Sequence, residues 1–219
     1  MVGYMTLGDG HLMAPEFILG TFSYGGGTSW RDTTNNDSEL VELLRDAYEM
    51  GVRGLDTAPV YGVGRSERIV GQAIKGRREK YYIQTKCSLN WRSKEGSFTY
   101  TRDGKDVYND FSSSALVKDV EDSLKRLDTE YIDVMIVHRC PPIDQMGMVM
   151  ETLETLKDRG LILGIGLSNV GQTSDPETSL RTFASYGQLD LLQESGSLLK
   201  KDYTKKMVNI KRQSNMSMN

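Results

Sequence analysis

Six short apolar segments, each closing on a polar side chain, alternate along the chain with segments of helical period. The segments are "FILGTF" (17–22), "VRGLDTA" to Asp56, "KYYIQTK" to Lys86, "YIDVMIVH" to His138, "LILGIGLSN" to Ser168 and Asn169, and "LDLLQ" to Gln193. Their interiors are apolar throughout rather than alternating, which is the pattern of strands buried on both faces in a parallel sheet covered by helices.

The helical segments carry start and stop signals. Residues 38–50 begin at Ser38, place Leu40, Leu43, Leu44 and Ala47 on one face, and stop at Gly51. "RSERIVGQAIKG" reads as a second, serine-led helix ending at Gly76. "SALVKDVEDSLKRLD" is a third, with Leu116, Val120, Leu124 and Leu127 aligned; "GMVMETLETLKDRG" is a fourth, closed by Gly160. "PETSLRTFASYG" carries proline in its first turn and Gly187 past its end. Residues 87–111, rich in Ser, Gly and Asp, read as a long loop, and a loop of that length in a compact domain is usually functional or mobile.

Two architectures accommodate such a β–α series. A dinucleotide-binding doubly wound sheet needs a Gly-rich fingerprint between its first strand and first helix. "YGGGTSW" (24–30) has glycines at the wrong spacing, and the next helix begins later. A (β/α)8 barrel instead collects its active site from the C-terminal ends of several strands. Polar residues ending consecutive buried strands fit the barrel.

Composition excludes several classes. A net charge of −3 gives no global basic field for nucleic acid. No run of 18 apolar residues exists, so no membrane span is expected. The first 17 residues lack the pattern of a secretory signal. Cys87 and Cys140 form no disulfide or metal framework by spacing, and no His, Cys and carboxylate cluster has metal-ligand spacing. A reducing, cytoplasmic setting is expected.

Singly, Asp56 reads as a turn residue, Lys86 as solvated, Tyr61 as packing and His138 as a core histidine. A barrel brings them to one mouth, where their chemistry is complementary. A phenol with a pKa of about 10 is a poor proton donor near neutrality. A neighbouring ammonium, Lys86, is expected to lower that value, and Asp56 to hold Lys86 charged. His138 adds a hydrogen-bonding group. The set suits proton delivery to a carbonyl oxygen becoming an alkoxide. The cysteines following Lys86 and His138 also fall near this mouth, as inert buried thiols or as thiols activated by its positive charge.

"GLDTAPVYGVGRSERIVGQAI", "YYIQTK", "DSLKRLDTEYIDVMIVH", "GLILGIGLSNV" and "YGQLDLLQ" together resemble successive signatures of the aldo-keto reductases, NADP(H)-dependent oxidoreductases on a (β/α)8 barrel. The likeness runs from "LGTFSYGG" to about Leu199. It implies a catalytic tetrad of Asp56, Tyr61, Lys86 and His138. Tyr61 would be the general acid, Lys86 and Asp56 would tune it, and His138 would orient a carbonyl receiving hydride from C4 of the nicotinamide. Ser168, Asn169 and Gln193 would hydrogen-bond the nicotinamide carboxamide, Asp56 would border the cofactor site, and Thr21 and Phe22 would lie along the ribose. Trp91 and Trp30, in loops that wall the family's substrate pocket, are candidate contacts to a small carbonyl or alcohol substrate.

The likeness departs in two places. The family's nicotinamide-stacking aromatic, three residues past the glutamine, is here Gly196. Its seventh and eighth strands, which grip the cofactor phosphates, have no counterpart. We therefore expect one barrel domain over 1–219, cut short after about six β/α units. Residues 200–212 would be an atypical basic tail, with six basic residues against one acid. Unpaired sheet edges would then favour a homo-oligomer. A non-catalytic, reductase-like protein acting through protein contacts is the alternative expectation.

Overall fold

The structure, a computed structural model, describes residues 3–26, 36–102 and 104–195. The expected tail at 200–212, Gly196 and Trp30 lie outside the described residues.

Six strands form a parallel sheet: β3 (Ile18–Gly20), β4 (Gly54–Asp56), β5 (Tyr82–Cys87), β9 (Ile132–Val137), β10 (Ile162–Ser168) and β11 (Leu191–Gln193). Their order is β11-β10-β9-β5-β4-β3, all pairs parallel. This is the α/β, barrel-type arrangement the alternation predicts. Five helices connect the strands: α1 (Asp37–Glu49), α2 (Arg65–Ile74), α3 (Ser113–Leu127), α4 (Met146–Asp158) and α5 (Pro176–Ser185).

Every residue of β5 and β9 is buried, because each strand is covered on both sides. Ile83, Cys87, Met135 and Val137 face the helices and pack with Ile69, Leu116, Val120 and Leu153. Tyr82, Val134 and Ile136 face the concave side. The period of two therefore also turns Gln84 and Lys86 inward.

The expected starts of two helices shift. The cap of α1 is Asn36, not Ser38: its side chain accepts from Glu39 N–H at 2.9 Å while the Glu39 carboxylate accepts from Asn36 N–H at 3.2 Å, a capping box. For α2 the cap is Gly64, at φ 85°, and Ser66, the second residue of the helix, is buried and bonded to Thr21 and Thr57. The buried hydroxyl partners, invisible in a local pattern, draw that serine inside.

Two elements differ from expectation. Tyr4–Leu7 (β1) and Leu12–Pro15 (β2) form an antiparallel hairpin. Its Leu7, Leu12 and Ala14 pack against Tyr82, Val134 and Ile136 and plug the N-terminal end of the sheet. The segment 87–111 is not a plain loop. It contains β6 (Leu89–Asn90), β7 (Ser97–Arg102) and β8 (Lys105–Asn109), an antiparallel sheet ordered β6-β8-β7. The alternating "SFTYTR" and "KDVYN" around "DG" are a hairpin signal overshadowed by the Ser- and Gly-rich composition. Gly104 supplies the positive φ, 70°, that such a turn needs.

Candidate active site

Asp56 ends β4 and Lys86 lies on the inward face of β5, near its C-terminal end. The Lys86 ammonium donates to both carboxylate oxygens of Asp56, at 2.8 Å each, and to the Thr57 carbonyl at 2.9 Å. Lys86 is only 3% exposed, so its three N–H donors are satisfied inside the protein. Asp56 Oδ1 also accepts from Gln84 Nε2 at 2.7 Å and Gln193 Nε2 at 3.2 Å. A buried ion pair persists only with this kind of full hydrogen bonding.

Tyr61 arrives from the turn that follows β4. Its amide donates to the Ala58 carbonyl at 3.0 Å, and Gly64 N–H closes the turn onto Pro59 at 2.7 Å. The turn is seated against a 3-10 segment, Phe22–Gly25, through two glycines. A Cβ on Gly62 would lie 2.1 Å from the Gly25 carbonyl oxygen, and one on Gly25 would lie 2.4 Å from the Gly62 nitrogen. Only glycine allows that approach. The Tyr61 ring then meets Phe22 edge-on, with centroids 5.0 Å apart, and His138 edge-on at 6.1 Å. Lys86 Nζ is 4.9 Å from the ring centroid.

Burial raises the Tyr61 phenol above its ordinary pKa. The Lys86 ammonium beside the phenol pulls downward, as does Arg102, while the Asp56 charge pushes upward. The expected lowering by Lys86 is thus present but outweighed, because Asp56 neutralises much of that ammonium and the ring is desolvated. His138 is held well below its ordinary 6.5, first by burial and then by the charges of Lys86, Arg139 and Arg102. It stands as a neutral imidazole.

The structure brings the polar ends of β10 and β11 to the same mouth. Gln193 reaches Asp56, as above. Asn169, in the left-handed region at φ 60°, donates from Nδ2 to the His138 carbonyl at 2.8 Å and to Ser168 Oγ at 3.0 Å. Its Oδ1 accepts from Gln172 at 2.7 Å, so both ends of its amide are engaged within the protein. Thr21 is fully buried; its hydroxyl bonds the Asp56 carbonyl at 2.9 Å and the Ser66 hydroxyl at 2.7 Å, joining β3 to β4. Trp91 packs on the cluster of Ala58, Val60 and Tyr61, between the guanidiniums of Arg92 and Arg126 at 5.9 and 5.8 Å from its ring.

Sequence reasoning missed three neighbours. Gln84 stands two residues before Lys86, and the strand period alone would have put both on one face. Tyr100 and Arg102 sit on β7, in the segment read as loop; Tyr100 packs on the Tyr61 cluster and Arg102 lies 4.9 Å from the Phe22 ring.

The two thiols are not activated. Cys87 is fully enclosed and pushed well above its ordinary pKa by burial; Cys140 is pushed up to about 11 by burial and by Glu194. Cys140 lines a cavity of about 710 Å³ with Phe111, Ile143 and Thr173, beside the cluster rather than over it. Among the described residues no group of three or more His, Cys, Asp or Glu is placed to hold a metal ion, and no helix is long and apolar enough to cross a membrane.

Comparison with known proteins points one way. The aldo/keto reductase family model matches residues 16–216. The chain is 36% identical over 168 residues to the aldo-keto reductase YhdN of Bacillus subtilis, covering 76% of this chain and 46% of that protein. It is 32% identical over 197 residues to an NADH-specific methylglyoxal reductase of Escherichia coli, covering 88% and 58%. Among solved structures, the glycerol dehydrogenase AKR11B4 from Gluconobacter oxydans superposes with a TM-score of 0.78 at 26% identity, over 97% of this chain and 61% of that one. The holo form of the aldo-keto reductase AKR11C1 from Bacillus halodurans gives 0.77 at 25% identity, over 99% and 65%. The chain spans about half the length of the curated relatives it matches. It belongs to the aldo/keto reductase family.

Proposed function

We propose that this chain reduces an aldehyde or ketone to the alcohol with a nicotinamide cofactor, using Tyr61 as the proton donor. The observation that carries the reading is the single cluster in which the Tyr61 phenol faces a buried Lys86–Asp56 pair on one side and a neutral His138 on the other.

When bound, a dihydronicotinamide supplies hydride to the carbonyl carbon. The residues present fit its carboxamide, which needs both a donor and an acceptor. The Ser168 hydroxyl accepts from Asn169 and keeps its own hydrogen to donate. Gln193 commits its nitrogen to Asp56 and presents its oxygen. Asn169 acts by holding Ser168, since its own amide is already engaged. Phe22 and the Thr21 backbone would border the ribose.

A phenol kept protonated by burial is a proton source across neutral pH. As charge builds on the carbonyl oxygen, Tyr61 gives up its O–H proton, and Lys86 stabilises the phenolate left behind. Asp56, gripped by Gln84 and Gln193, keeps the ammonium aimed at the phenol. His138, being neutral, offers a hydrogen bond to the carbonyl oxygen without competing as an acid. Trp91 would wall the substrate.

We take NADP(H) as the expected cofactor; the Escherichia coli relative, named NADH-specific, makes NADH the necessary comparison. The reading places the protein in the cytoplasm, acting on a small molecule and not on nucleic acid or a membrane. Among the described residues β3 pairs only with β4 and β11 only with β10, so a second copy covering these edges is the proposed assembly. Fluorescence titration with NADPH and NADH, followed by turnover of benzaldehyde, tests the function. Saturable binding with aldehyde-dependent oxidation is expected; absence of both would refute it.

A further inference from the structure

The mouth of the cluster carries more positive charge than the proposed proton transfer requires. Lys86 is neutralised by Asp56 at 2.8 Å. Two further cations, Arg102 and Arg139, stand nearby, and among the described residues neither has a carboxylate within ion-pair distance. Both are partly exposed.

Their placement is built rather than accidental. Arg102 ends β7, its guanidinium carbon 4.9 Å from the Phe22 ring, and Phe22 packs edge-on against Tyr61 at 5.0 Å. Its charge also acts on Tyr100, which stands two residues earlier on the same face of β7 and packs on the Tyr61 cluster. Arg139 directly follows His138. Its guanidinium donates to Gln172 Oε1, and Gln172 donates to Asn169, so Arg139 is tied to the end of β10. The two cations come from different elements, β7 and the residue after His138 at the end of β9, and both act electrostatically on His138 and on Tyr100. Glu194, the acidic residue just past β11, is taken up by the amides of Val170 and Gly171 at 2.6 and 3.3 Å.

We propose that Arg102 and Arg139 form an anion subsite at the mouth, which selects carbonyl substrates bearing a carboxylate. This rests on the reductase reading of the cluster and deepens it. An unpaired guanidinium beside an aromatic wall recognises a planar carboxylate through paired N–H donors. The wall of Phe22, Tyr100 and Trp91 would take the apolar body of the same molecule. Guanidinium also binds phosphate, and the cofactor carries phosphates, so the test must separate the two anions.

Two measurements do so. Calorimetry of the full chain with benzoate and with benzamide reads anion binding without turnover; 4-carboxybenzaldehyde and methyl 4-formylbenzoate, compared by kcat/KM, read selectivity. We expect benzoate to bind at least tenfold more tightly than benzamide, an advantage lost by roughly tenfold in Arg102→Gln or Arg139→Gln, as for a hydrogen bond to a charged group. The acid-to-ester ratio of kcat/KM should fall in parallel. Equal binding of benzoate and benzamide would overturn the subsite. So would variants that weaken NADPH and leave benzoate at the wild-type level, since the cations would then serve the cofactor. Arginine-dependent benzoate binding without turnover of any aldehyde would refute the reductase reading and leave the subsite standing. Turnover of acid and ester at the same kcat/KM, with no arginine effect, would do the reverse.

Discussion

Both carboxylate oxygens of Asp56 sit 2.8 Å from the Lys86 ammonium. Asp56 pairs in register with Gln84, so Lys86 reaches back from two residues further along β5. Lys86→Met would leave Asp56 charged beside two amides and without its cation. Breaking a buried pair this way costs about 3–5 kcal/mol. Urea unfolding of the variant should show that loss, and the Tyr61 phenol should titrate higher than in the parent because its downward pull is gone.

His138 stays neutral well below 6.5. The unfolded chain takes up this proton near 6.5 and the folded chain only at much lower pH, so this residue makes stability fall as pH drops below 6.5. The sequence holds two histidines, so ring NMR with a His11→Gln control isolates the signal. The His138 ring should show no titration between pH 6 and 8.

Asp119 carries the opposite sign. Burial pushes its carboxyl up from 3.8 to about 6, against the pull of Arg92, the Ser88 amide and Arg126. The folded state therefore binds this proton more tightly than the unfolded one, and its contribution to stability grows as pH falls from about 6 to about 4. Other carboxylates can mask it in the parent alone. The difference between the unfolding free energies of the parent and Asp119→Asn, followed against pH, should slope this way across that window, by ~3 kcal/mol at most at about 1.4 per unit.

The contact between Gly25 and Gly62 holds the Tyr61 turn. Gly62 has φ 62°, and a Cβ there meets backbone rather than a flexible side chain. Gly62→Ala should lower Tm and, because the turn must shift, lower kcat more than it raises KM. Gly76→Ala, also at positive φ but with open space around it, should lower Tm alone.

How much of this was legible in the sequence follows from range. Apolar strands with polar ends, helical period and Gly stops are local, and they located the six-stranded sheet and its five helices to within a few residues. That Asp56, Lys86 and His138 meet at one mouth was also legible, because a parallel sheet brings the C-terminal ends of its strands together. Gln84 was legible from the strand period but overlooked. The direction of the Tyr61 shift was not, since it depends on how completely Phe22, Trp91 and Val107 enclose the ring. Arg102 was hidden for a similar reason: only the folding of β7 over Phe22 brings it to the mouth.

Tyr61→Phe keeps the ring that packs on Phe22 and His138 and removes only the hydroxyl. Measured with saturating NADPH and benzaldehyde, its kcat should drop by about 10²–10⁴-fold, the usual span of general acid catalysis, while NADPH affinity holds near the parent value. A variant that turns over as fast as the parent would show that the proton comes from elsewhere and contradict the account.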